Sequence, residues 1–470
     1  MNQRIPFLEE LKQDLMEHAP QQKETASAPL RPRFQWKGPW VAAAVFIVVV
    51  TLGGLSWILS GDISPDTTVD EPVTQLGPGL MWQQVEAPEQ VARVRSLWSL
   101  PEGFALWTGA EIWTSPDGED WRLAASAPPI TDTNHENVVA HIDDRWLVAG
   151  ADDSGTPLIA ANSDGSTWTS SPLPVPSLTN ELLASRVEVV AVVSGPDGVV
   201  AVGAVTTGVD EEAVMERFAP DLTGGEIRFR DGAIDIVESD GTVRTSVPFE
   251  DISPRLADQR HVILDTIIWQ SPDAQSWNQV DLIENAGPGF IGANTDGYIV
   301  PLVKLGSPGT PIYTSSNGVD WSLLTELQEP ILGGSFALLD ETLIVGAPPV
   351  SLLRVELHDG TTQLVSAGPA FDNTDLADLR VGQVAAGPYG VLAAAYDGSR
   401  GSVPYTTLWY SPDGQQWNRQ RTNDIFGTEA NLKVAVGADR VVVATDPQGE
   451  GGLPLESPFQ VWIGTISNQN

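Results

Sequence analysis

A seven-residue turn pattern, Ser-x-Asp-Gly-x-x-Trp, recurs along the chain between short apolar segments. The five copies hold Ser115, Asp117, Gly118 and Trp121; Asp164, Gly165 and Trp168; Ser271, Asp273 and Trp277; Ser315, Asn317, Gly318 and Trp321; and Ser411, Asp413, Gly414 and Trp417. Hairpin units that repeat about every 40–50 residues are typical of propellers and solenoids. The repeat therefore constrains the fold far more than it constrains a ligand or a reaction.

Counting hairpins predicts an all-β, seven-bladed β-propeller over residues 80–467. Seven inner hairpins are indicated, at residues 94–109, 138–151, 187–205, 290–303, 335–347, 381–396 and 432–445. Five outer hairpins carry the turn pattern, and a sixth, residues 353–364, keeps Asp359 and Gly360 but has Gln363 in place of Trp. The seventh is divided between Val461–Gly464 and Met81–Val85. Pairing these two ends would close the ring and remove its free edges.

The residue types of the turn suit a structural role. Proline presets the backbone at the first central position of a tight turn, and glycine permits the positive φ that re-enters the strand. The Asp carboxylate accepts hydrogen bonds from nearby amides, and the Trp packs across the outer strands. We therefore expect these side chains to hold the turns together, and we identify no catalytic residues among them.

The turn resembles the Asp-box, or BNR repeat, of sialidase-like propellers and related exported bacterial proteins. The resemblance covers residues 112–123, 159–170, 268–280, 312–324 and 408–419. In that family the boxes are structural and lie away from the active-site face. A sialidase also needs an Arg triad, a Tyr nucleophile with a Glu partner and an acid/base Asp, and the sequence does not supply that set.

Residues Trp40–Ser60 form an uncharged segment of the length that crosses a bilayer as a helix. Arg31, Arg33 and Lys37 precede it and acidic residues follow it, which predicts a cytoplasmic N-terminus and an extracytoplasmic propeller. The expected domains are a cytoplasmic segment with a short amphipathic helix (1–38), a transmembrane helix (39–60), a tether (61–79) and the propeller. A cleaved signal peptide is the alternative. This layout resembles that of membrane-anchored actinobacterial proteins.

Composition narrows the classes of partner. The formal net charge of -37 repels nucleic-acid phosphates, so no nucleic-acid partner is expected. The chain has no Cys, and its five His residues show no metal-ligand spacing. No cofactor is predicted, and Ca²⁺ is the one metal that the acidic residues suggest, with Asp152 and Asp153 as contributors.

The longest interruption of the repeat, residues 206–264, falls between the second and third strands of the third blade. It is acidic and holds three strand-like segments, beginning at Glu226, Ile234 and Thr242. Long ordered insertions are often functional. A partner or ligand site, a neutral elaboration and a cation site all remain open for it.

Three functions follow from these observations. The first is a membrane-anchored module that binds or scaffolds envelope proteins or glycans. The second is a transmembrane sensor or regulator that engages a cytoplasmic factor through the N-terminal helix. The third is a glycosidase-like hydrolase on the same fold. Paired carboxylates or clustered Arg residues in the central channel would favour the hydrolase.

Overall fold

The computed structural model describes residues 80–88, 91, 93–131, 135, 137–177, 180–222, 224–230, 232–259, 262–304, 309–328, 336–347, 351–365, 379–397, 405–421, 423–426, 430–447 and 459–466. Within them the protein is an all-β chain with a β-propeller fold, built from antiparallel sheets whose neighbouring strands follow one another along the chain. None of the described helices is long and apolar enough to cross a membrane. Residues 1–79, with Trp40–Ser60, lie outside the described part.

The first strand, β1 (Leu80–Val85), stands apart in sequence from the sheet that it joins. Sheet 1 contains β2 (Ser96–Leu100), β3 (Gly103–Trp107), β4 (Ile112–Ser115) and β5 (Arg122–Ala125). Sheet 2 contains β6 (Val139–Ile142), β7 (Arg145–Ala151), β8 (Pro157–Asn162) and β9 (Trp168–Pro172). Sheet 3 contains β10 (Leu183–Gly195), β11 (Gly198–Val209), β15 (Val262–Ser271) and β16 (Asn278–Ile283).

The remaining sheets complete the series. Sheet 4 contains β17 (Ala286–Pro288), β18 (Gly292–Asn294), β19 (Gly297–Lys304), β20 (Thr310–Ser315) and β21 (Ser322–Leu327). Sheet 5 contains β22 (Phe336–Leu339), β23 (Thr342–Ala347), β24 (Ser351–Glu356) and β25 (Thr362–Val365). Sheet 6 contains β26 (Leu379–Gly387), β27 (Gly390–Asp397), β28 (Tyr405–Ser411) and β29 (Asn418–Arg421). Sheet 7 contains β30 (Ala430–Val436), β31 (Val441–Pro447), β32 (Gln460–Ile466) and β1.

Strand β1 pairs with β32 along its whole length, from Leu80 opposite Ile466 to Val85 opposite Val461. The two ends of the described chain therefore share one sheet, as the sequence predicts. Strand β1 is the outermost strand of sheet 7, and backbone hydrogen bonds join it to β32.

The hydrophobic core lies between neighbouring sheets. Phe104 and Leu106 of sheet 1 pack with Val442 and Ile463 of sheet 7 in one cluster of buried residues. Similar clusters join sheets 3 and 4, 4 and 5, 5 and 6, and 6 and 7. The second strands read as continuous apolar runs because both of their faces are covered, as in Phe104–Trp107, where all four residues are buried.

The insertion forms a compact unit of its own, Pro176–Arg186 together with Val205–Leu264. It contains α1 (Glu211–Phe218), a three-stranded sheet of β12 (Glu226–Arg230), β13 (Ala233–Val237) and β14 (Val243–Pro248), then α2 (Phe249–Ile252) and α3 (Pro254–Gln259). Its buried cluster includes Val214, Ile234, Ile236, Phe249 and Leu256, all from within the unit. A further short helix, α4 (Asn423–Phe426), follows sheet 6.

Two features of this unit differ from the sequence expectation, which contained strands alone. Helix α1 is present and begins at a cap, because the Asp210 carboxylate accepts a hydrogen bond from the Ala213 amide at 3.0 Å. Residues 176–186 also belong to the unit. The Asn180 side chain donates to the Ile252 carbonyl at 2.6 Å, and the Asp210 amide donates to the Leu182 carbonyl at 2.9 Å.

Candidate binding site

In each repeated turn, which lies between the third and fourth strands of its sheet, the Asp or Asn side chain accepts hydrogen bonds from backbone amides. In sheet 1, the Asp117 carboxylate accepts from the Ser115 hydroxyl at 3.1 Å and from the amides of Glu119 and Asp120 at 2.9 and 3.1 Å. The Ser115 hydroxyl accepts from the Gly118 amide at 2.8 Å, and the Trp121 indole donates to the Gly118 carbonyl at 2.9 Å. Each of these polar groups therefore has its hydrogen-bond partner within the turn.

Two other copies carry a substitution that preserves an acceptor of this network. Asn162 stands in the serine position of sheet 2 and accepts from the Gly165 amide at 2.6 Å. Asn317 stands in the aspartate position of sheet 4 and accepts from the amides of Val319 and Asp320, each at 2.9 Å. An amide oxygen therefore does the same work as a carboxylate oxygen at this position.

The carboxylates of these turns are held in their ionised form. Hydrogen bonds from the amides of Thr167 and Ser166 lower the pKa of Asp164 to about 2. Hydrogen bonds from the amides of Ser276 and Gln275 lower the pKa of Asp273 to about 2. A carboxyl with so low a pKa carries no proton near neutral pH, and a general acid needs one.

The turns also contact neighbouring sheets. A Cβ atom added to Gly118 would lie 2.7 Å from Val442 Cγ2 of sheet 7, and one added to Gly165 would lie 2.8 Å from the Ala124 carbonyl oxygen of sheet 1. The Trp168 indole donates to the Ser126 carbonyl at 3.0 Å. The five turns belong to sheets 1, 2, 3, 4 and 6, so the predicted residues form five separate structural clusters rather than one site.

A second set of glycines, which the sequence reasoning missed, lies against the same turns. Gly103 has φ +137°, and a Cβ atom there would lie 2.2 Å from the Ser115 carbonyl oxygen. Gly198, Gly297 and Gly390 stand in the same relation to Ser271, Ser315 and Ser411, at 2.4, 2.2 and 2.3 Å. In the sequence, these glycines could have been recognised because each begins the second strand of its sheet, directly after an acidic or turn residue.

The first strands of several sheets line a half-open cavity of about 230 Å³. Strands β2, β22, β26 and β30 line it, together with Asn137 and Phe290. Most of the lining is apolar, with Trp98, Phe336 and Val434 as examples. None of the described lining residues is Asp or Glu.

One wall of the cavity carries a cation. Lys433, on β30, is only 6% exposed and lines the cavity beside Gln383 of β26. With the Gln383 amide oriented to satisfy both of its ends, its nitrogen donates to the Leu432 carbonyl at 2.7 Å and its oxygen accepts from Lys433 Nζ at 3.2 Å. The Gln383 side chain is therefore fixed with its oxygen toward the ammonium group.

Aromatic rings stiffen the rest of the lining. Phe290 and Phe336 stack with ring centroids 5.8 Å apart, and Trp98 meets Trp146 edge to face at 6.4 Å. The centroid of the Trp146 ring in turn lies 4.4 Å from that of the His141 ring. Burial lowers the pKa of the His141 imidazole below its usual value. The cavity was not predicted from the sequence, although Lys433 and Gln383, each within an apolar inner strand, were a usable signal.

Asp152, which was expected to contribute to a cation site, is engaged in its own loop. Its carboxylate accepts from the Ser154 amide and hydroxyl at 2.8 and 2.6 Å and from the Thr156 amide at 2.9 Å. Across the described part of the chain, no three His, Asp or Glu side chains are grouped as a metal ion would require. Calcium binding stays a prediction.

Comparison with known proteins shows no family for this chain. No protein-family model matches the chain, and no curated protein matches it in sequence. Similar solved structures are YCF48 bound to D1 peptide (11% identity, TM-score 0.45, 84% of this chain and 99% of that chain) and BamB from Moraxella catarrhalis (11%, 0.35, 83% and 99%). Another is the WD40 β-propeller domain of Doa1 (10%, 0.39, 83% and 97%). At these identities the likeness concerns the fold alone.

Proposed function

We propose that this chain is a membrane-anchored, extracytoplasmic binding module for an envelope protein. In this proposal the seven sheets are the blades of one closed propeller, and the repeated turns are Asp-boxes. Trp40–Ser60 is a retained transmembrane helix with the N-terminus in the cytoplasm. The turn pattern, the charge asymmetry about the apolar segment and the β1–β32 pairing support this arrangement.

The observation that carries the proposal is the lining of the central cavity. Glycoside hydrolysis ordinarily uses two carboxyl groups about 5–9.5 Å apart on either side of the scissile bond. The described lining has no carboxylate, and its polar groups are a lysine, amides and hydroxyls. These groups bind and orient a ligand without supplying the acid and base of a hydrolase.

The size of the cavity favours a protein partner over a glycan. Small-molecule pockets usually measure about 300–1,000 Å³. The cavity of about 230 Å³ is smaller, and it has room for one side chain or one chain end. A partner would therefore insert a single residue there and rest the remainder of its contact surface on the rim.

Affinity capture from detergent-solubilised native membranes tests this function. The full-length chain is compared with Ser99→Trp, which fills the cavity wall, and with Ser170→Trp, a matched control on an exposed position of β9. We expect the Ser99→Trp chain to lose a partner protein that the other two retain. Equal capture by all three folded chains, or release of sugars from envelope glycans by the wild-type chain, would contradict the proposal.

A further inference from the structure

We infer that Asn317 is a site of spontaneous deamidation, which the folded turn of sheet 4 slows and whose aspartate product that turn accepts. The turn joins β20 to β21, and Asn317 is the one asparagine at the aspartate position of the five repeated turns. None of the residues from Ser315 to Trp321 lines the cavity. The modification site is therefore independent of the proposed binding function.

The chemistry follows from the residue after Asn317. That residue is Gly318, and the two form the only Asn-Gly pair in the sequence. A glycine has no Cβ atom, so its backbone nitrogen approaches the preceding side chain with little steric hindrance. The Gly318 nitrogen bonds to Asn317 Cγ, the bond from Cγ to Nδ2 breaks, and ammonia leaves with the proton of the Gly318 amide. Water then opens the resulting five-membered imide to aspartate or isoaspartate, and the residue gains a negative charge.

Hydrogen bonds hold the carboxamide of Asn317 in place. Its Oδ1 accepts from the Ser315 hydroxyl at 3.1 Å and from the amides of Val319 and Asp320 at 2.9 Å each. Its Nδ2, the nitrogen that leaves as ammonia, donates to the Asp320 carboxylate at 2.9 Å. Both ends of the carboxamide are therefore restrained against the rearrangement that forms the imide.

The attacking residue, Gly318, is restrained by packing. It is buried, and a Cβ atom added to it would lie 2.8 Å from Val200 Cγ2 of sheet 3 and 3.2 Å from Tyr298 Cε2. The Trp321 indole donates to the Gly318 carbonyl at 3.1 Å. The backbone therefore has little room to carry its nitrogen toward Asn317 Cγ. We expect the reaction to proceed from a locally open turn, whose population depends on the free energy of opening.

The turn of sheet 1 shows how the product fits. Asp117 accepts there from the amides of Glu119 and Asp120 at 2.9 and 3.1 Å. Asp120 stands three residues after Asp117, as Asp320 stands three residues after Asn317. An aspartate at position 317 can therefore accept the same two amide hydrogen bonds beside an acidic neighbour. It loses only the bond that Nδ2 makes with Asp320.

Peptide mapping by mass spectrometry tests the inference on the full-length chain in detergent. The chain is incubated at mildly alkaline pH, either folded or unfolded in guanidinium chloride. Asn278 is the internal control, because it is exposed on β16 and precedes Gln279. In the unfolded chain we expect Asn317 to deamidate faster than Asn278. In the folded chain we expect Asn317 to react at least about tenfold more slowly than in the unfolded chain, since an opening free energy of about 1.4 kcal/mol gives that ratio.

Two matched substitutions assign the slow reaction to the turn. Asp320→Ala removes the acceptor of the Nδ2 bond, and Asp120→Ala removes the corresponding exposed side chain of sheet 1. We expect Asp320→Ala to raise the rate in the folded chain about two- to tenfold, the range that one hydrogen bond gives, and Asp120→Ala to leave it unchanged. In guanidinium chloride all three chains should react at the same rate. Asn317→Asp represents the product, and we expect it to keep a cooperative thermal transition.

Four results would overturn parts of the inference. If Asn317 reacts no faster than Asn278 in the unfolded chain, it is not the deamidation site. Equal rates at Asn317 in the folded and the unfolded chain would show that the turn gives no protection. A slower or an unchanged reaction in the folded Asp320→Ala chain would contradict the restraint by Asp320. Loss of the cooperative transition in Asn317→Asp would contradict the fit of the product.

Discussion

At the scale of single residues, the repeated turns show that one acceptor position can hold either a carboxylate or a carboxamide side chain. Asp273 and Asn317 occupy equivalent positions, and each accepts from two backbone amides at 2.8–2.9 Å. The geometry is therefore set by the acceptor oxygen, whereas the charge adds a dependence on pH. Only the aspartate version loses its ionised form in acid.

The first prediction concerns Asp273→Asn. The pKa of Asp273 in the folded chain is about 2, whereas an unperturbed Asp titrates at about 3.9. The stabilisation from its charge is therefore complete above the unfolded pKa and is lost as pH falls toward 2. We expect the wild-type chain to exceed Asp273→Asn in urea stability at pH 5, and the difference to vanish near pH 2.

Asp273→Ala is the matched variant, because it removes the acceptor as well as the charge. It should be less stable than Asp273→Asn throughout this pH range. A constant difference between wild type and Asp273→Asn from pH 5 to pH 2 would show that the charge of Asp273 contributes nothing to stability.

The second prediction compares the glycines at the same position of two repeated turns, in sheets 1 and 6. Gly118 and Gly414 have φ of +80° and +69°, so alanine is strained at both positions, by about 1–2 kcal/mol. At Gly414 the nearest atom to an added Cβ is 3.5 Å away, whereas at Gly118 it is 2.7 Å away, on the stiff side chain of Val442.

We therefore expect Gly118→Ala to lower the free energy of unfolding by about 1–3 kcal/mol more than Gly414→Ala does, through overpacking between sheets 7 and 1. Urea denaturation followed by tryptophan fluorescence measures both. Equal losses in the free energy of unfolding would mean that Val442 moves aside to accommodate the added methyl group.

At the scale of the elements, sheet 7 is the one sheet whose strands come from both ends of the described chain. The pairing of β1 with β32 opposes Met81 to Thr465, and Met81 is 57% exposed. Because the chain has no Cys, two introduced cysteines can form only one disulfide. The pairing of β1 with β32 is therefore open to a simple covalent test.

The third prediction is that oxidised Met81→Cys/Thr465→Cys gains stability, by a few kcal/mol where strain is small, since it links residues far apart in the chain. Thermal unfolding with and without reductant measures the gain. Met81→Cys/Gln460→Cys is the control, because those residues are not opposite each other. Failure of the first pair to oxidise in the folded chain would contradict the observed register.

Some elements of the fold were predictable from the sequence, and others were not. The repeated turns and the β1–β32 pairing were predictable because each depends on residues close in sequence or on an unfinished strand count. The approach of Gly103 to Ser115 and the cavity at Lys433 depend on contacts between strands or sheets. Residues 176–186 belong to the insertion through hydrogen bonds of Asn180 and Leu182 to residues far away in the sequence. No local sequence pattern predicts such bonds.

At the scale of the whole molecule, the insertion carries its own hydrophobic cluster. Strands β11 and β15, which flank it, are neighbours in sheet 3. The fourth prediction is that replacing residues 210–261 with a short Gly/Ser linker leaves the remaining sheets folded. Circular dichroism and the thermal transition of the shortened chain check this, and a chain without a cooperative transition would contradict it.

The same shortened chain tests whether the partner binds at the cavity alone or also contacts the insertion. If it still captures the partner that Ser99→Trp loses, the cavity is sufficient for binding. If it loses the partner while folded, the insertion contributes contacts of its own, which was one of the open interpretations of its acidic sequence.

The pairing of β1 with β32 also has a mechanical consequence. Any pull on the chain ahead of Leu80 enters the propeller through β1, whose hydrogen bonds to β32 run side by side over six residue pairs. A load along that strand stretches all of these bonds together rather than one after another. Strand β1 is therefore the element that bears such a load, and its bonds to β32 break together as one row.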